Sequence, residues 1–187
     1  MLLFVGLGNP TPNSENNRHN IGFKIIDAIN QKFGLSKQKP KFKGLLTTGN
    51  INNKKVYAIK PLTFMNNSGI CIRELLEYFK IDAENVIVFH DDLDINFGKI
   101  KAKFGGSSAG HNGVASIDKF IGKEYSRVRV GIGKPSTKMD ASDFVLNNFD
   151  EDEMQELKKI TTNITDSLSI LIDKKLDLFS STVNNNQ

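Results

Sequence analysis

The chain has 187 residues, 39% of them hydrophobic and 25% charged, with a formal net charge of +4. That is enough for one domain with a real core, and it argues against disorder. No apolar run approaches the roughly 20 residues of a membrane helix, the N-terminus lacks the basic region of a signal peptide, and the single cysteine, Cys71, has no partner for an internal disulfide, so the expectation is a cytoplasmic protein with no membrane partner.

In chain order, residues 2–6 read as a short buried strand, Leu2-Leu3-Phe4-Val5, closed by Gly6-Leu7-Gly8. Gly22, Ile25, Ile26, Ile29 and Phe33 have helical spacing, and Gly34 ends the helix. Residues 37–43 alternate lysine with other residues around Pro40 and read as an exposed basic loop. Residues 45–51 and 56–59 are two strands, and Asn52-Asn53-Lys54 makes them a hairpin. A second helix carries Ile72, Leu75, Leu76 and Phe79, with Asn67 and Ser68 as N-cap candidates and Cys71 on its apolar side. Residues 86–89 form another buried strand that runs into His90-Asp91-Asp92-Leu93-Asp94.

Residues 99–104 look like an edge strand; a glycine-rich loop, 105–113, and a short helix, 114–121, follow. Residues 127–132 alternate strictly, a half-buried strand with Arg127 and Arg129 on one face. Asp150 to Glu153 is an acidic helix start, and Leu157, Ile160, Ile164, Leu168, Leu171 and Ile172 continue that helix. Strands and helices are interspersed and one hairpin breaks the βαβ rhythm. The expected fold is α/β: a single domain over residues 1–179 with a mixed twisted β-sheet and helices on both faces, then a frayed polar tail over 180–187.

The charge is uneven. Residues 37–60 carry seven lysines and no acid, and residues 99–134 carry eight Lys or Arg against two acids. Together these stretches hold +13 and leave −9 on the rest, a pattern that suits a polyanionic partner as well as solvated lysines on sheet edges. Gly6-x-Gly8 invites a dinucleotide reading, but Thr11 stands at the third glycine, Pro10 and Pro12 block a helix start, and Asp27 lies inside a helix pattern. His90, Asp91, Asp92, Asp94 and His111 could be read as metal ligands, yet the whole chain has three histidines, few for a two-metal hydrolase. The 105–113 loop could cradle a phosphate but lacks the P-loop ending; Asn112 in it could equally be an N-cap.

His19 stands on a loop after a strand, and histidine is the side-chain type whose unperturbed pKa, about 6.5, suits a general base. A carboxylate at a strand end, such as Asp91, can hold one of its ring nitrogens and leave the other to take a proton from water. Asn9, Asn66 and Asn112 can donate to a carbonyl or a developing oxyanion without changing charge. All these groups fall at strand ends or helix starts, on one rim of a sheet.

Gly6-Leu7-Gly8-Asn9-Pro10, Arg18-His19-Asn20-x-Gly22, Lys60-Pro61-x-Thr63-Phe64-Met65-Asn66-x-Ser68-Gly69, His90-Asp91-Asp92-Leu93-Asp94, Gly110-His111-Asn112-Gly113 and Arg127-x-Arg129-x-Gly131-Ile132-Gly133 occur in this order. Together they resemble the bacterial-type peptidyl-tRNA hydrolase family, over almost the whole chain. The resemblance implies a monomeric esterase, free of metal and cofactor, that cuts the ester between a peptide and the 3′ ribose of tRNA and so recycles tRNA for translation. By position, His19 matches the family's catalytic base and Asp91 its orienting carboxylate. Asn9 matches the residue that tells a blocked peptidyl nitrogen from a free ammonium.

By the same resemblance Phe64, Met65, Asn66 and Asn112 line the peptide and 3′-end cleft, and Lys101, Lys103 and Arg129 match a basic group that grips tRNA phosphate. Ser14 stands where the family usually has a substrate-contacting tyrosine, Thr11 replaces a usual glycine and Asn17 a common threonine, and Ser107, Ser108 and Ala109 occupy a loop usually richer in glycine. Two rival classes remain. A non-catalytic tRNA- or RNA-binding module would use the same basic face but leaves a His19–Asp91 pairing unexplained. A nucleotide-dependent oxidoreductase would use the Gly6 loop, which lacks its third glycine.

Overall fold

Side chains on a strand alternate between the two faces of its sheet, so apolar residues at every position of a strand bury both faces. The computed structural model describes residues 1–187 and shows this in β1 (Leu2–Gly6), whose five residues are all buried. Leu2 and Phe4 enter one apolar cluster, Leu3 and Val5 the other. The remaining strands are β2 (Lys39–Lys41), β3 (Gly44–Ile51), β4 (Lys54–Pro61), β5 (Val86–Asp92), β6 (Ile100–Phe104) and β7 (Ser126–Gly131). They form one sheet in the order β2-β3-β4-β1-β5-β7-β6. The four inner strands β4, β1, β5 and β7 are parallel, while β2, β3 and β6 pair antiparallel. The sheet is mixed, as expected.

The larger cluster lies under α1 (Ile21–Phe33), α5 (Glu151–Asp166), α6 (Leu168–Ile172) and α7 (Leu176–Asn185); the smaller lies under α2 (Ser68–Phe79) and α3 (Asn112–Ile121). Helices therefore cover both faces. A single helical turn, α4 (Ala141–Val145), was not visible in the periodicity. The hairpin turn matches its residues: Asn52 and Asn53 both sit in the left-handed region, at φ 50° and 62°, which a type I′ turn demands.

Four local expectations need correction. The basic loop over 37–43 contains β2, three exposed residues paired to β3 at the sheet edge, where Pro40 is tolerated. Neither Asn67 nor Ser68 caps α2 through its side chain; the Ser68 hydroxyl donates to the Met65 carbonyl at 2.9 Å instead. The long C-terminal helix breaks at Ser167 into α5 and α6. Residues 180–187 are not a frayed tail. Residues 180–185 complete α7, with Phe179 and Val183 fully buried. The polar residues of α7 cover the open edge of β6: Ala102 N–H donates to the Ser180 hydroxyl at 2.8 Å, and the Asn184 amide exchanges two 2.9 Å bonds with the Ile100 backbone. A polar composition reads as a loose end, but here it satisfies an edge strand that would otherwise be open to pairing.

Two contacts fix the segment before α1. The first turn of α1 packs directly on the end of β1: a Cβ at Gly22 would lie 2.3 Å from the Leu7 nitrogen, and one at Gly6 would lie 2.2 Å from the Gly22 oxygen. Arg18, 8% exposed, spans to the other end of the chain. Its guanidinium donates to both Glu153 carboxylate oxygens at 3.1 and 2.8 Å and to the carbonyls of Asn147 and Asn148 at 3.2 and 2.6 Å. It also lies over the Phe144 and Phe149 rings. Glu153 itself closes a capping box with Asp150 at the start of α5. Gly22→Ala is expected to destabilise the fold by about 1–3 kcal/mol or more, read as a drop in Tm of roughly 2–4 °C for each kcal/mol in a chain of this size.

Candidate active site

β5 runs further than its apolar residues suggested, through His90 and Asp91 to Asp92. Asp91 is 2% exposed. Both of its carboxylate oxygens lie 2.9 Å from Nδ1 of His19, which comes from the single turn Arg18–Asn20 before α1. One of the same oxygens lies 2.9 Å from Nε2 of His111, the residue that opens α3. Three segments far apart in sequence thus meet on one carboxylate.

Their hydrogen bonds dictate the tautomers. His111 Nδ1 accepts from the Gly113 and Val114 N–H groups at 3.1 and 3.3 Å, capping α3. That nitrogen carries the lone pair, so the His111 proton is on Nε2 and is donated to Asp91. His19 Nδ1 faces the same carboxylate and is therefore the protonated nitrogen, which leaves the lone pair on Nε2. Burial alone would raise the Asp91 pKa, but the electrostatic attraction and N–H donors of His111 and His19 outweigh it and hold the carboxyl well below the usual carboxylate range. The third histidine differs. His90 donates from Nδ1 to the Asp91 carbonyl at 2.7 Å, and burial, followed by the proximity of His111, pushes its pKa down to about 3. It is a neutral packing residue against the His111 ring, with centroids 4.9 Å apart.

His19 lines two cavities. One, about 230 Å³, runs past Asp92, Leu93 and Asp94 to the loop before His111. The other, about 360 Å³, holds Asn9, Ser14, Phe64, Met65, Asn66 and Asn112. The cleft residues expected from sequence are therefore together. Asn9 is held rigidly: its backbone exchanges two 2.9 Å bonds with the Asn20 amide, and its Oδ1 accepts from Met65 N–H at 2.9 Å. This orients Nδ2 as the remaining donor. Phe64 stands exposed at the rim with φ 61°, a strained conformation for a bulky side chain and a frequent mark of a functional site. Ser14 lines the same cavity, but its hydroxyl is engaged by Thr11 and it offers no ring to stack on. Asn112 is the first residue of α3 and not its cap, which is His111.

The two arginines of β7 share a face yet differ in role. Arg127 is 1% exposed and bound to the carbonyls of Gly106 and Ser107 and to Asp118, so it clamps the glycine-rich loop from inside. Arg129 pairs with Asp92 at 2.7 Å and keeps 22% of its side chain exposed. Across the antiparallel β6–β7 pair Lys101 stands opposite Arg129 and Lys103 opposite Arg127, so Lys101, Lys103 and Arg129 share one face. Of the metal-ligand candidates, the structure groups Asp91 and His111 with His19, their ligand atoms within 4.8 Å of one another. Asp92 is committed to Arg129, and Asp94 pairs with Lys134. Sequence reasoning missed the cap role of His111, the Arg18 anchor and the Ser142 and Val145 wall that α4 adds to both cavities. Only Arg18 and His111 had a local signal, their place in short motifs.

A family model for peptidyl-tRNA hydrolase matches residues 3–187. The chain belongs to the peptidyl-tRNA hydrolase family. It is 83% identical over 185 residues to a peptidyl-tRNA hydrolase of Pelagibacter ubique, covering 99% of this chain and 100% of that one. It is 44% identical over 160 residues to that of Bacillus subtilis, covering 85% of each. Among solved structures, peptidyl-tRNA hydrolase from Acinetobacter baumannii superposes with a TM-score of 0.91 at 33% identity, covering 98% of this chain and 94% of that chain.

Acid should act on this cluster in one direction. Below about pH 6.5 an unfolded His90 takes a proton that the native one refuses, so stability falls as pH drops from 6.5 toward 3, by about 1.4 kcal/mol per unit. Asp91, depressed in the native state, adds its loss below the ordinary carboxylate range. Denaturant titrations between pH 7 and 4 should show this slope, and the His90 ring resonances should not titrate in that interval.

Proposed function

We propose that His19 is the general base with which this chain hydrolyses peptidyl-tRNA, by direct attack of water on the ester that joins the peptide to the 3′ ribose. The observation that carries this reading is the hydrogen-bonded state of His19: Nδ1 is saturated by Asp91, so Nε2 is the basic nitrogen, on a residue that lines both cavities. Nε2 takes a proton from water as the oxygen adds to the ester carbonyl. Asn66 or Asn112 donates to the oxyanion. When the intermediate collapses, the ribose 3′ oxygen leaves and takes that proton from the imidazolium. The products are the peptide carboxylate and tRNA with a free 3′ hydroxyl, ready for reuse in translation. No side chain is acylated.

Asn9 Nδ2, fixed by Asn20 and Met65, donates to a peptide carbonyl and favours a blocked α-nitrogen over an ammonium. Phe64 and Met65 wall the cleft. Lys101, Lys103 and Arg129 hold tRNA phosphate: they share one face of β6 and β7, and Arg129 of that face pairs with Asp92, which lines the first cavity. One chain supplies every residue named, so a monomer suffices, and no metal or cofactor is assigned a step. No helix is long and apolar enough to cross a membrane. A non-catalytic RNA-binding module would not need a buried carboxylate that sets the tautomers of two histidines.

His19→Ala is expected to lower kcat for N-acetyl-aminoacyl-tRNA by about 10²–10⁴-fold while tRNA binding persists; near-normal turnover would remove the assignment. Asp91→Asn should retain a residual rate, because it disturbs orientation and tautomer while leaving the base in place. Lys103→Ala should reduce the slope of log binding constant against log salt by about 1. An unchanged slope would take Lys103 out of the phosphate contact. Turnover should survive a chelator.

A further inference from the structure

Beyond Asn9 lies a third cavity that the reaction above does not use. It measures about 300 Å³ and shares Asn9 and Thr11 with the cleft of His19, so the two adjoin at these residues. Its apolar lining is Phe23, Leu45 and Leu62 with the prolines on either side of Thr11. Its charged lining is balanced, two lysines against two acids. The Lys60 side chain, 11% exposed, delivers its ammonium there from the end of β4, 2.7 Å from Asp27 Oδ1 and 5.7 Å from the centre of the Phe23 ring. Asp27 takes one of its three N–H donors, and the others remain to serve a ligand.

We infer that this cavity is an outer peptide subsite, which receives the residues of the peptidyl chain that precede the esterified one. The inference rests on the placement of Asn9 and His19 at the reacting ester. An extended chain advances about 3.3 Å per residue, so two or three residues beyond the Asn9 contact traverse a cavity of this size. Lys60 donates to a backbone carbonyl of the peptide, and Phe23, Leu45 and Leu62 pack against its apolar side chains. A backbone-directed donor and a generic apolar floor accept many sequences, which suits a peptidyl substrate of no fixed composition. The balanced charge also orients the substrate. The phosphates are drawn to the basic face of β6 and β7, whereas the neutral peptide fits the cavity beside β4.

The test compares tRNA carrying one N-acetylated amino acid with tRNA carrying an N-acetylated leucine-rich tetrapeptide. Wild-type enzyme should show the higher kcat/KM on the long substrate. Lys60→Met should lower that value about tenfold more for the long substrate than for the short one, as expected for loss of a hydrogen bond from a charged donor. Leu62→Glu, at a half-buried rim position, should do the same and carries the test alone if Lys60→Met fails to fold. A long-to-short ratio equal to wild type in Leu62→Glu overturns the subsite. The catalytic reading fails separately, through undiminished cleavage of the short substrate by His19→Ala.

Discussion

The structure depends on one buried carboxylate. Asp91 is an anion at 2% exposure, a state that costs several kcal/mol unless the charge is met by donors. Two imidazole N–H groups meet it, from His19 and His111, at 2.9 Å. The arrangement works in both directions: the donors keep Asp91 ionised, and Asp91 keeps each proton on a defined nitrogen. His111 reinforces this from its other side, because its Nδ1 is occupied by two backbone N–H groups of α3 and cannot take a proton without losing them. An imidazole of defined tautomer follows from hydrogen bonding alone.

The topology explains why these groups meet. β1 lies between β4 and β5 in the parallel part of the sheet, and the chain departs to one side of it before returning to the other. In open α/β sheets such a reversal leaves a crevice at the carboxyl ends of the strands. The segment after β1 delivers Asn9 and His19 there, β5 ends in Asp91, and α3 begins there with His111 and Asn112. The close Gly6–Gly22 approach and the Arg18–Glu153 pair then remove the freedom that a loop histidine would otherwise have.

Charge is divided across the site as the substrate is. Lys101, Lys103 and Arg129 lie on one face of β6 and β7, while the cavity beside Asn9 that holds Lys60 has balanced charge. The buried Arg127 belongs to a different task. It holds the 106–107 carbonyls, and with them the loop that leads to His111.

Local pattern was enough to read the β1 strand, the Asn52-Asn53 hairpin, the helical spacing of α1 and α2, the mixed sheet class and the motifs that carry His19, Asp91 and Asn9, because periodicity and turn chemistry reside in neighbouring residues. Tertiary structure alone decided the rest. The His19–Asp91 bond spans 72 residues and the Arg18–Asn147 bond 129, and no local pattern encodes such pairings. Arg127 and Arg129 are equivalent in an alternating strand, and only the loop packed over β7 buries one and leaves the other half-open. The serine and asparagine of the last helix look like a solvated end until β6 is found beside them, needing partners for its backbone. A side chain's partner is set by what folding brings within 3 Å of it, and that distance is a property of the whole chain.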